Sequence, residues 1–289
     1  MRTRAYPIVE FKPDTYEIDE FDCASMFLLV GSERAMVIDS GIGIGDLKGA
    51  IEAITDKPLT LVVTHGHEDH VGNAWQFGAF HMNEKDWDCA PFGYHDNLEA
   101  RRRYAAMIHR REHGDKPNDL FDMETDLAPW GEPATRLPLV DGQTFDLGDR
   151  VVTAYACPGH SPGQMMLLDD KTRTLFVGDA LNCNLLFFGK PGTPGFTSIE
   201  TARRSLERMQ ALSDRYDAIF NGHHDYRPLG EPLSEDVLPD AIALCTQLID
   251  GDFTPVYEKS PMTGWPDQLT VRKGKTRIGY TLEGIHDPK

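Results

Sequence analysis

The chain has 289 residues, of which 40% are hydrophobic, so it can bury a substantial core. Its 46 acidic residues outnumber 29 basic ones and give a formal net charge of −17, which disfavours nucleic acids and anionic membrane surfaces as partners. No run approaches the roughly 20 apolar residues of a membrane helix, and the first residues lack the apolar stretch of a secretory signal. Five scattered cysteines form neither a zinc-type pair nor a disulfide framework, which indicates a cytoplasmic protein.

The first half of the chain predicts the element order β-β-α-β-α. Two short apolar runs, at 26–30 and 35–38, flank a polar turn and predict a hairpin. Apolar residues at helical spacing predict a helix over 45–54, and a continuous apolar run predicts a buried strand over 59–63. A further helix is expected over 70–77.

The second half repeats this alternation with more strands. The predicted strands are 144–149 (with its turn), 151–156, 164–168, 174–177 and 217–220, and the predicted helices are 198–212 and 234–248. Ser198 is expected to cap the first of these helices. Sheets covered by helices on the outside fit a single α/β (α+β) domain over residues 1–289, built as a four-layer αββα sandwich.

Residues 84–135 do not fit a minimal version of this sandwich. The segment is polar and helical in pattern, and we interpret it as a helical insertion beside or over the active site. The alternative is a solvated decoration without a role. Its Arg101, Arg102 and Arg103 could attract an anionic substrate, although such a run more often forms a solvated helix face.

Four places in the chain share one pattern, in which a short apolar strand leads through a small turn to a residue that can bind a metal. These residues are His65, His160, Asp179 and His223. The first place is the densest, because three imidazoles and a carboxylate fall within residues 65–70. A side chain at a strand end is held rigidly, and glycine lets the backbone turn tightly beside it. Imidazole and carboxylate ligands suit zinc and related divalent metals, so the sequence predicts a metal site.

The chain resembles the metallo-β-lactamase superfamily at five motifs, which occur in order at 37–41, 65–70, 158–163, 178–179 and 222–223. The resemblance implies the αββα fold of that superfamily and two Zn²⁺ ions per chain, with iron or manganese as alternative metals. It implies that one ion takes His65, His67 and His160, that the other takes Asp69, His70 and His223, and that Asp179 bridges both. It also implies that Asp39 holds the histidine loop by hydrogen bonds; a plain turn residue is the alternative.

The predicted chemistry follows from two neighbouring cations. Two metal ions about 3.5–4 Å apart can share a water and lower its pKa. The resulting hydroxide would attack an electrophilic carbon, and Asp69 could orient it or carry a proton. His224, which competes with His223 for the last ligand position, is a candidate substrate contact; the alternative is a mere neighbour of the ligand. Tyr226 is a candidate hydrogen-bond donor to an oxyanion.

Apolar residues near these motifs predict a partly closed pocket for a small, largely apolar substrate. One group is the run over 185–188, for which a core strand is the alternative. The other group lies within the insertion, where a homodimer interface is the alternative. Its members are Trp87, Phe92, Tyr94, Tyr104, Phe121 and Trp130.

The function predicted first is zinc-dependent hydrolysis of a small molecule such as a lactone or a thioester, without a nucleic-acid or membrane partner. Hydrolysis of a β-lactam or an isothiocyanate is an alternative within the same class. From another class, the resemblance offers a mononuclear iron oxidoreductase similar to the persulfide dioxygenases. The full ligand set favours two metals over one iron, and it disfavours a catalytically silent binding module.

Overall fold

The computed structural model describes residues 4–87, 97–187, 189–224, 227–259 and 267–288. Two β-sheets pack face to face in the centre of the molecule, and helices cover the outer face of each sheet. This arrangement is the αββα sandwich that the sequence predicts. None of the helices in these ranges is long and apolar enough to cross a membrane.

The first sheet contains seven strands of the described chain, which lie side by side in chain order. They are β1 (Ile8–Lys12), β2 (Thr15–Asp19), β3 (Ser25–Val30), β4 (Ala35–Ile38), β5 (Leu59–Val62), β6 (Ala79–Met82) and β7 (Thr135–Pro138). β1 to β4 pair antiparallel, and β4 to β7 pair parallel. The predicted hairpin is confirmed as β3 and β4, in which Phe27 lies opposite Ile38.

The second sheet contains five strands of the described residues. They are β8 (Thr144–Asp146), β9 (Val151–Ala156), β10 (Met165–Asp169), β11 (Thr174–Phe176) and β13 (Ala218–Phe220). Their order is β13-β11-β10-β9-β8, with β11 and β13 parallel and the others antiparallel. Each of these strands was predicted at its place in the chain, four of them from apolar runs and β8 as part of a strand and turn. Apolar residues of the two sheets interlock between them, including Phe27 and Ile38 from the first and Leu167 and Phe176 from the second.

Helices lie on both outer faces of the sandwich. They are α1 (Leu47–Glu52), α2 (Glu68–Val71), α3 (Leu98–His113), α4 (Ile199–Ala211) and α5 (Val237–Asp250). α1 and α3 pack on the first sheet, and α4 and α5 pack on the second. The Ser198 side chain accepts a hydrogen bond from the Thr201 amide at 3.0 Å, so the predicted cap of α4 is confirmed.

The fold differs from the sequence-based expectations in several places. β1, β2, β6 and β7 of the first sheet lie where no strand was predicted. The predicted helix over 70–77 is instead α2, which ends at Val71, and a separate 3₁₀ turn over Ala74–Phe77. Gly72 lies between them and packs so closely on the Ile42 backbone that a side chain would not fit there. A third sheet, which the sequence analysis did not predict, is made of β12 (Asn184–Leu186), β14 (Val256–Glu258), β15 (Gln268–Lys273) and β16 (Thr276–Tyr280).

Leu185 and Leu186 belong to β12 of this third sheet rather than to an exposed loop, and Phe187 follows directly. Leu185 is 2% exposed and Phe187 is 6% exposed, and both pack in the core beneath α4 and α5. β12 pairs in parallel with β16, which places Leu185 opposite Ile278. The core-strand alternative is therefore correct for these residues, and Phe188 lies outside the described ranges.

Candidate metal centre

Strand ends of both sheets bring the predicted ligand residues together at one edge of the sandwich. His65 and His67 follow β5, and Asp69 and His70 lie in α2. The other three follow strands of the second sheet. They are His160 after β9, Asp179 after β11 and His223 after β13. The repeated order of apolar strand, tight turn and ligand places the ligands together, because each buried strand determines where the turn after it lies.

Three histidines form the first group of converging ligand atoms. His67 Nδ1 lies 3.1 Å from His65 Nε2 and 2.9 Å from His160 Nε2. The three ligand atoms lie within 4.8 Å of one another, as donors around a single metal ion do. His65 is fully buried and His67 is 8% exposed, so the surrounding protein holds both rings.

Asp69, His70 and His223 form the second group. An Asp69 carboxylate oxygen lies 3.8 Å from His70 Nε2, and the other lies 3.5 Å from His223 Nε2. Asp179 lies between the two groups. Its Oδ1 is 3.5 Å from His70 Nε2, while its Oδ2 is 3.2 Å from His223 Nε2 and 3.5 Å from His160 Nε2. His65, His70 and Asp179 also converge, so the ligand atoms form overlapping groups, and the division between two ions stays a prediction.

Two buried atoms of this cluster fit the presence of metal ions. His70 Nε2 and Asp179 Oδ1 are shielded from solvent, and neither has a hydrogen-bond partner among the described residues. Buried polar atoms are nearly always hydrogen bonded, so such a pair calls for an explanation. A metal ion would satisfy both atoms, and the mixture of imidazole and carboxylate donors is the kind that zinc prefers.

The electrostatics of the first histidine group and of Asp179 favour the protonation states that metal binding requires. His70 differs: burial opposes its charge, but the carboxylates of Asp69, Asp39 and Asp179 raise its pKa to about 10, so without a metal this ring is a cation. Burial lowers the pKa of His65 and His67 well below the usual value and lowers that of His160 as well, so these rings are neutral at neutral pH. Burial opposes ionisation of Asp179, but the neighbouring His223 and His70 hold its pKa well below the usual range. Neutral imidazoles and ionised carboxylates are the ligand forms.

Asp39 supports this cluster from the end of β4. Its carboxylate accepts hydrogen bonds from the Thr64 amide at 2.7 Å and the Thr64 hydroxyl at 2.8 Å, and it lies 2.9 Å from His70 Nδ1. The contact with Nδ1 turns His70 Nε2 toward Asp179. Asp39 adopts a left-handed backbone with φ of 62°, which aspartate tolerates better than most residues. The predicted supporting role of Asp39 is confirmed by these hydrogen bonds.

Comparison with known proteins agrees with this geometry. The family model of the metallo-beta-lactamase superfamily matches residues 20–223. The chain belongs to this superfamily. It is similar to the acyl-coenzyme A thioesterase MBLAC2 of Homo sapiens, with 28% identity over 224 residues that cover 69% of this chain and 72% of the relative. It is also similar to the hydroxyacylglutathione hydrolase GloC of Haemophilus influenzae, with 26% identity over 206 residues that cover 69% and 84%.

A solved structure shows the same fold. A metallo-beta-lactamase family protein from Thermus thermophilus matches with a TM-score of 0.53 at 18% identity, covering 84% of this chain and 82% of that one. The sequence-based prediction of a metallo-β-lactamase fold is therefore confirmed. The relatives also support a hydrolase, as predicted, and the donor groups that could hold metal ions are present in the structure.

Asp86 supports the metallo-β-lactamase site from outside its sequence motifs. The residue is 1% exposed and lies in a 3₁₀ turn over Glu84–Asp86. Its carboxylate accepts hydrogen bonds from the Gly66 amide at 3.1 Å, the Ser161 hydroxyl at 2.5 Å and the Gly163 amide at 2.7 Å. It therefore links the loop of His65 and His67 to the loop of His160. An aspartate well beyond the second motif gives no sequence signal for this contact.

We expect Asp86→Asn to lower turnover about 10- to 100-fold, which is the loss typical of residues that hold metal ligands in place. The amide side chain replaces one acceptor oxygen by a donor, so it cannot accept all three of these hydrogen bonds. Steady-state kinetics with a cleaved substrate measure the effect. Glu84→Gln is the matched control, because Glu84 lies in the same turn and is exposed. Equal turnover of both variants would contradict this role for Asp86.

Arg227 holds the loop that carries His223. Its guanidinium makes a paired salt bridge to Glu17 at 2.8 and 2.7 Å, and both side chains are almost fully buried. It also donates to the Asn221 side chain at 2.8 Å and to the Asn221 carbonyl at 3.1 Å, and it lies over the Phe220 ring at 4.8 Å. β2 therefore fixes the position of the final metal-ligand motif through one ion pair. Neither charged residue was predicted from the sequence.

The two further catalytic candidates have different outcomes. His224 pairs with carboxylates outside the ligand cluster, with Nε2 at 2.9 Å from Asp19 Oδ1 and 3.4 Å from Asp22 Oδ1. Burial disfavours its charge, but these two carboxylates raise the pKa of His224 to about 10, so the ring is a cation at neutral pH. Its catalytic role stays a prediction. Tyr226 lies outside the described residues.

The basic and aromatic residues of 84–135 only partly match their predicted roles. A solvated arginine face is wrong for Arg101, which is fully buried and donates to the Ile42 carbonyl at 3.1 Å and the Ala128 carbonyl at 2.7 Å. Arg102 pairs with Glu124 at 2.7 Å, and Arg103 is exposed. Four of the six aromatic residues pack in the core on the outer face of the first sheet. They are Trp87, Tyr104, Phe121 and Trp130, while Phe92 and Tyr94 lie outside the described ranges.

Proposed function

We propose that the chain is a dinuclear zinc hydrolase that cleaves a small-molecule thioester. The observation that carries the proposal is the pair of three-donor groups with Asp179 between them. The donors present suit zinc, and the division into two groups suits two ions rather than one. Iron or manganese at the same ligands is the alternative that metal analysis would detect.

The thioester is chosen from the predicted substrate classes because of the relatives. One similar protein is named an acyl-coenzyme A thioesterase, and another is named a hydroxyacylglutathione hydrolase. Acyl groups are joined to coenzyme A and to glutathione through sulfur. Both names therefore describe hydrolysis of a thioester bond. A small-molecule thioester, acted on in the cytoplasm, is therefore the proposed substrate of this chain.

Zinc bound at these ligands would supply Lewis acidity and activation of water. We propose that residues of the chain orient the water, hold the ligands and contact the substrate. Asp69 holds a proton of the attacking water at a carboxylate oxygen and so orients the water toward the thioester carbon. Asp39 fixes the ring of His70, and Asp86 fixes the two loops of the first histidine group. His224, as a cation whose side chain is 21% exposed, is a candidate contact for an anionic part of the substrate.

The test is a substrate panel with zinc-loaded protein. We expect acyl-coenzyme A or acylglutathione thioesters to be cleaved with kcat/KM at least about 10-fold above that for lactones, β-lactams and isothiocyanates, a difference of about 1.4 kcal/mol in transition-state binding. Release of the free thiol is followed by a colour reagent. Asp69→Asn should remove this activity, while Asp115→Asn, whose side chain is 92% exposed, should retain it.

Cleavage of a lactone or a β-lactam without cleavage of any thioester would overturn the proposed substrate while leaving a metal-dependent hydrolase. Oxygen consumption by protein with one bound iron would overturn the hydrolase itself and favour the oxidoreductase alternative. Measurement of metal content on the same preparations separates these two outcomes.

A further inference from the structure

A buried acid follows β2 directly and lies outside the five metallo-β-lactamase motifs. Glu20 is 0% exposed. Its carboxylate accepts hydrogen bonds from three consecutive amides of the loop after β4, which are those of Ile42, Gly43 at 3.0 Å and Ile44 at 2.8 Å. Successive backbone amides of this kind form a concave site for an anion, and Glu20 fills that site from within the chain.

Arg101 of α3 binds the same loop at a carbonyl oxygen. Its side chain is fully buried, and the guanidinium donates a hydrogen bond to the Ile42 carbonyl at 3.1 Å. A side chain at Gly41, where φ is 67°, would overlap the Glu20 carboxylate, so glycine permits this close approach. This loop (residues 41–44, the 41–44 loop) is therefore held by one buried acid and one buried base.

The 41–44 loop packs against α2, the short helix of the second ligand group. The Gly72 amide donates a hydrogen bond to the Gly41 carbonyl at 2.7 Å. Just before the loop, the amide and the hydroxyl of Ser40 donate to the His70 carbonyl at 2.8 and 3.0 Å. Because α2 has only four residues, it is not stable by itself, and these contacts determine where it lies.

We propose that Glu20 is a positioning residue, which holds the 41–44 loop against α2 and thereby sets the positions of Asp69 and His70. The proposal rests in part on the proposed function, because it takes these two residues as metal ligands. Burying a carboxylate costs free energy unless hydrogen bonds compensate, and an apolar side chain would fill the same space without that cost. The amides that Glu20 orders therefore account for an acid at this place.

Hydrogen exchange of the metal-free protein tests the proposal, with Glu20→Gln compared with wild type by mass spectrometry. Burial raises the pKa of Glu20 to about 8, although the three amides and the Arg101 charge lower it, so exchange is measured at pH 9, where the carboxyl group is ionised. Glutamine keeps the shape but turns its NH₂ group toward at least one amide. We therefore expect amides over 40–46 and 68–73 to exchange about 10- to 100-fold faster. Amides over 157–163, in the loop of His160, should exchange within about twofold of wild type.

Zinc affinity at the same pH is the second measurement, made by competition with a chromophoric chelator and without substrate. We expect one of the two equivalents of Zn²⁺ to bind about 10-fold more weakly to Glu20→Gln. Glu10→Gln is the matched control, because Glu10 is exposed and its carboxylate accepts a hydrogen bond from the Asp14 amide at 3.0 Å. The control should match wild type within about twofold in both measurements.

Glu20→Asp takes the place of Glu20→Gln if the latter does not fold. It keeps the charge but shortens the side chain by one methylene, so the carboxylate cannot reach all three amides, and the same two segments should exchange faster than in wild type. Exchange over 68–73, or zinc affinity at both equivalents, within about twofold of wild type would overturn the proposal. Hydrogen exchange needs neither zinc nor substrate. A wild-type protein that cleaves no thioester would therefore overturn the proposed function alone, and the exchange comparison would still decide the role of Glu20.

Discussion

Asp179→Asn is expected to lower turnover more than about 100-fold, beyond the loss typical of residues that only support metal ligands. Asp179 is the one carboxylate of the described ligand set with short distances to both groups, at 3.2 Å from His223 and 3.5 Å from His70 and His160. Asparagine keeps the shape of the side chain and removes its charge. The two ions would lose their shared anion, and the positive charges brought together in the site would repel each other.

Metal content and turnover of Asp179→Asn are measured on the same preparation. We expect the ratio of zinc to protein to fall together with kcat. Asp170→Asn is the matched control, because Asp170 is exposed and pairs with Arg215 on the surface. Full zinc content with wild-type turnover in Asp179→Asn would contradict the bridging role.

Glu17→Gln is expected to lower the free energy of unfolding by about 3–5 kcal/mol, because it leaves a buried guanidinium without its counter-charge. The Glu17 and Arg227 side chains are 0% and 2% exposed, and the pair makes two direct hydrogen bonds. Glutamine can satisfy part of the hydrogen bonding but none of the charge. The loop of His223 is held by the same guanidinium, so weaker zinc binding should accompany the loss of stability.

Urea unfolding of the metal-free protein measures this loss. Asp217→Asn is the control, since Asp217 pairs with Arg173 on the surface with side chains 63% and 44% exposed. Such an exposed pair should contribute less than about 1 kcal/mol. Similar unfolding free energies for the two variants would show that the buried pair contributes no more than the surface pair.

The ligand cluster could be predicted from the sequence because strand ends repeat a local pattern. His65, His160, Asp179 and His223 each follow a short apolar run and a tight turn. Such a pattern depends on neighbouring residues in the sequence, so it predicts the local structure directly. The sandwich was predictable in outline, since the strands that lead to the ligand residues, such as β5, β9, β11 and β13, lie in apolar runs. The third sheet was missed because its two longer strands, β15 and β16, mix polar with apolar residues, and because β12 pairs with a strand far away in the chain.

The supporting residues could not be predicted, because their partners lie far away in the sequence. Asp86 is 75 residues from Ser161, and Glu17 is 210 residues from Arg227. The sequence predicts that Arg101 is one of three exposed arginines. In the tertiary structure its guanidinium instead donates hydrogen bonds to two backbone carbonyls. Tyr104 was expected to line a pocket or an interface, but its ring packs against the core on the outer face of the first sheet.

The measurement that tests the central claim most directly is the number and position of zinc ions in crystals of the zinc-loaded protein, located by anomalous X-ray scattering at the zinc edge. We predict two zinc ions, one bound by His65, His67 and His160 and the other by Asp69, His70 and His223, with Asp179 in contact with both. A single ion, or two ions bound by other residues, would contradict the dinuclear site.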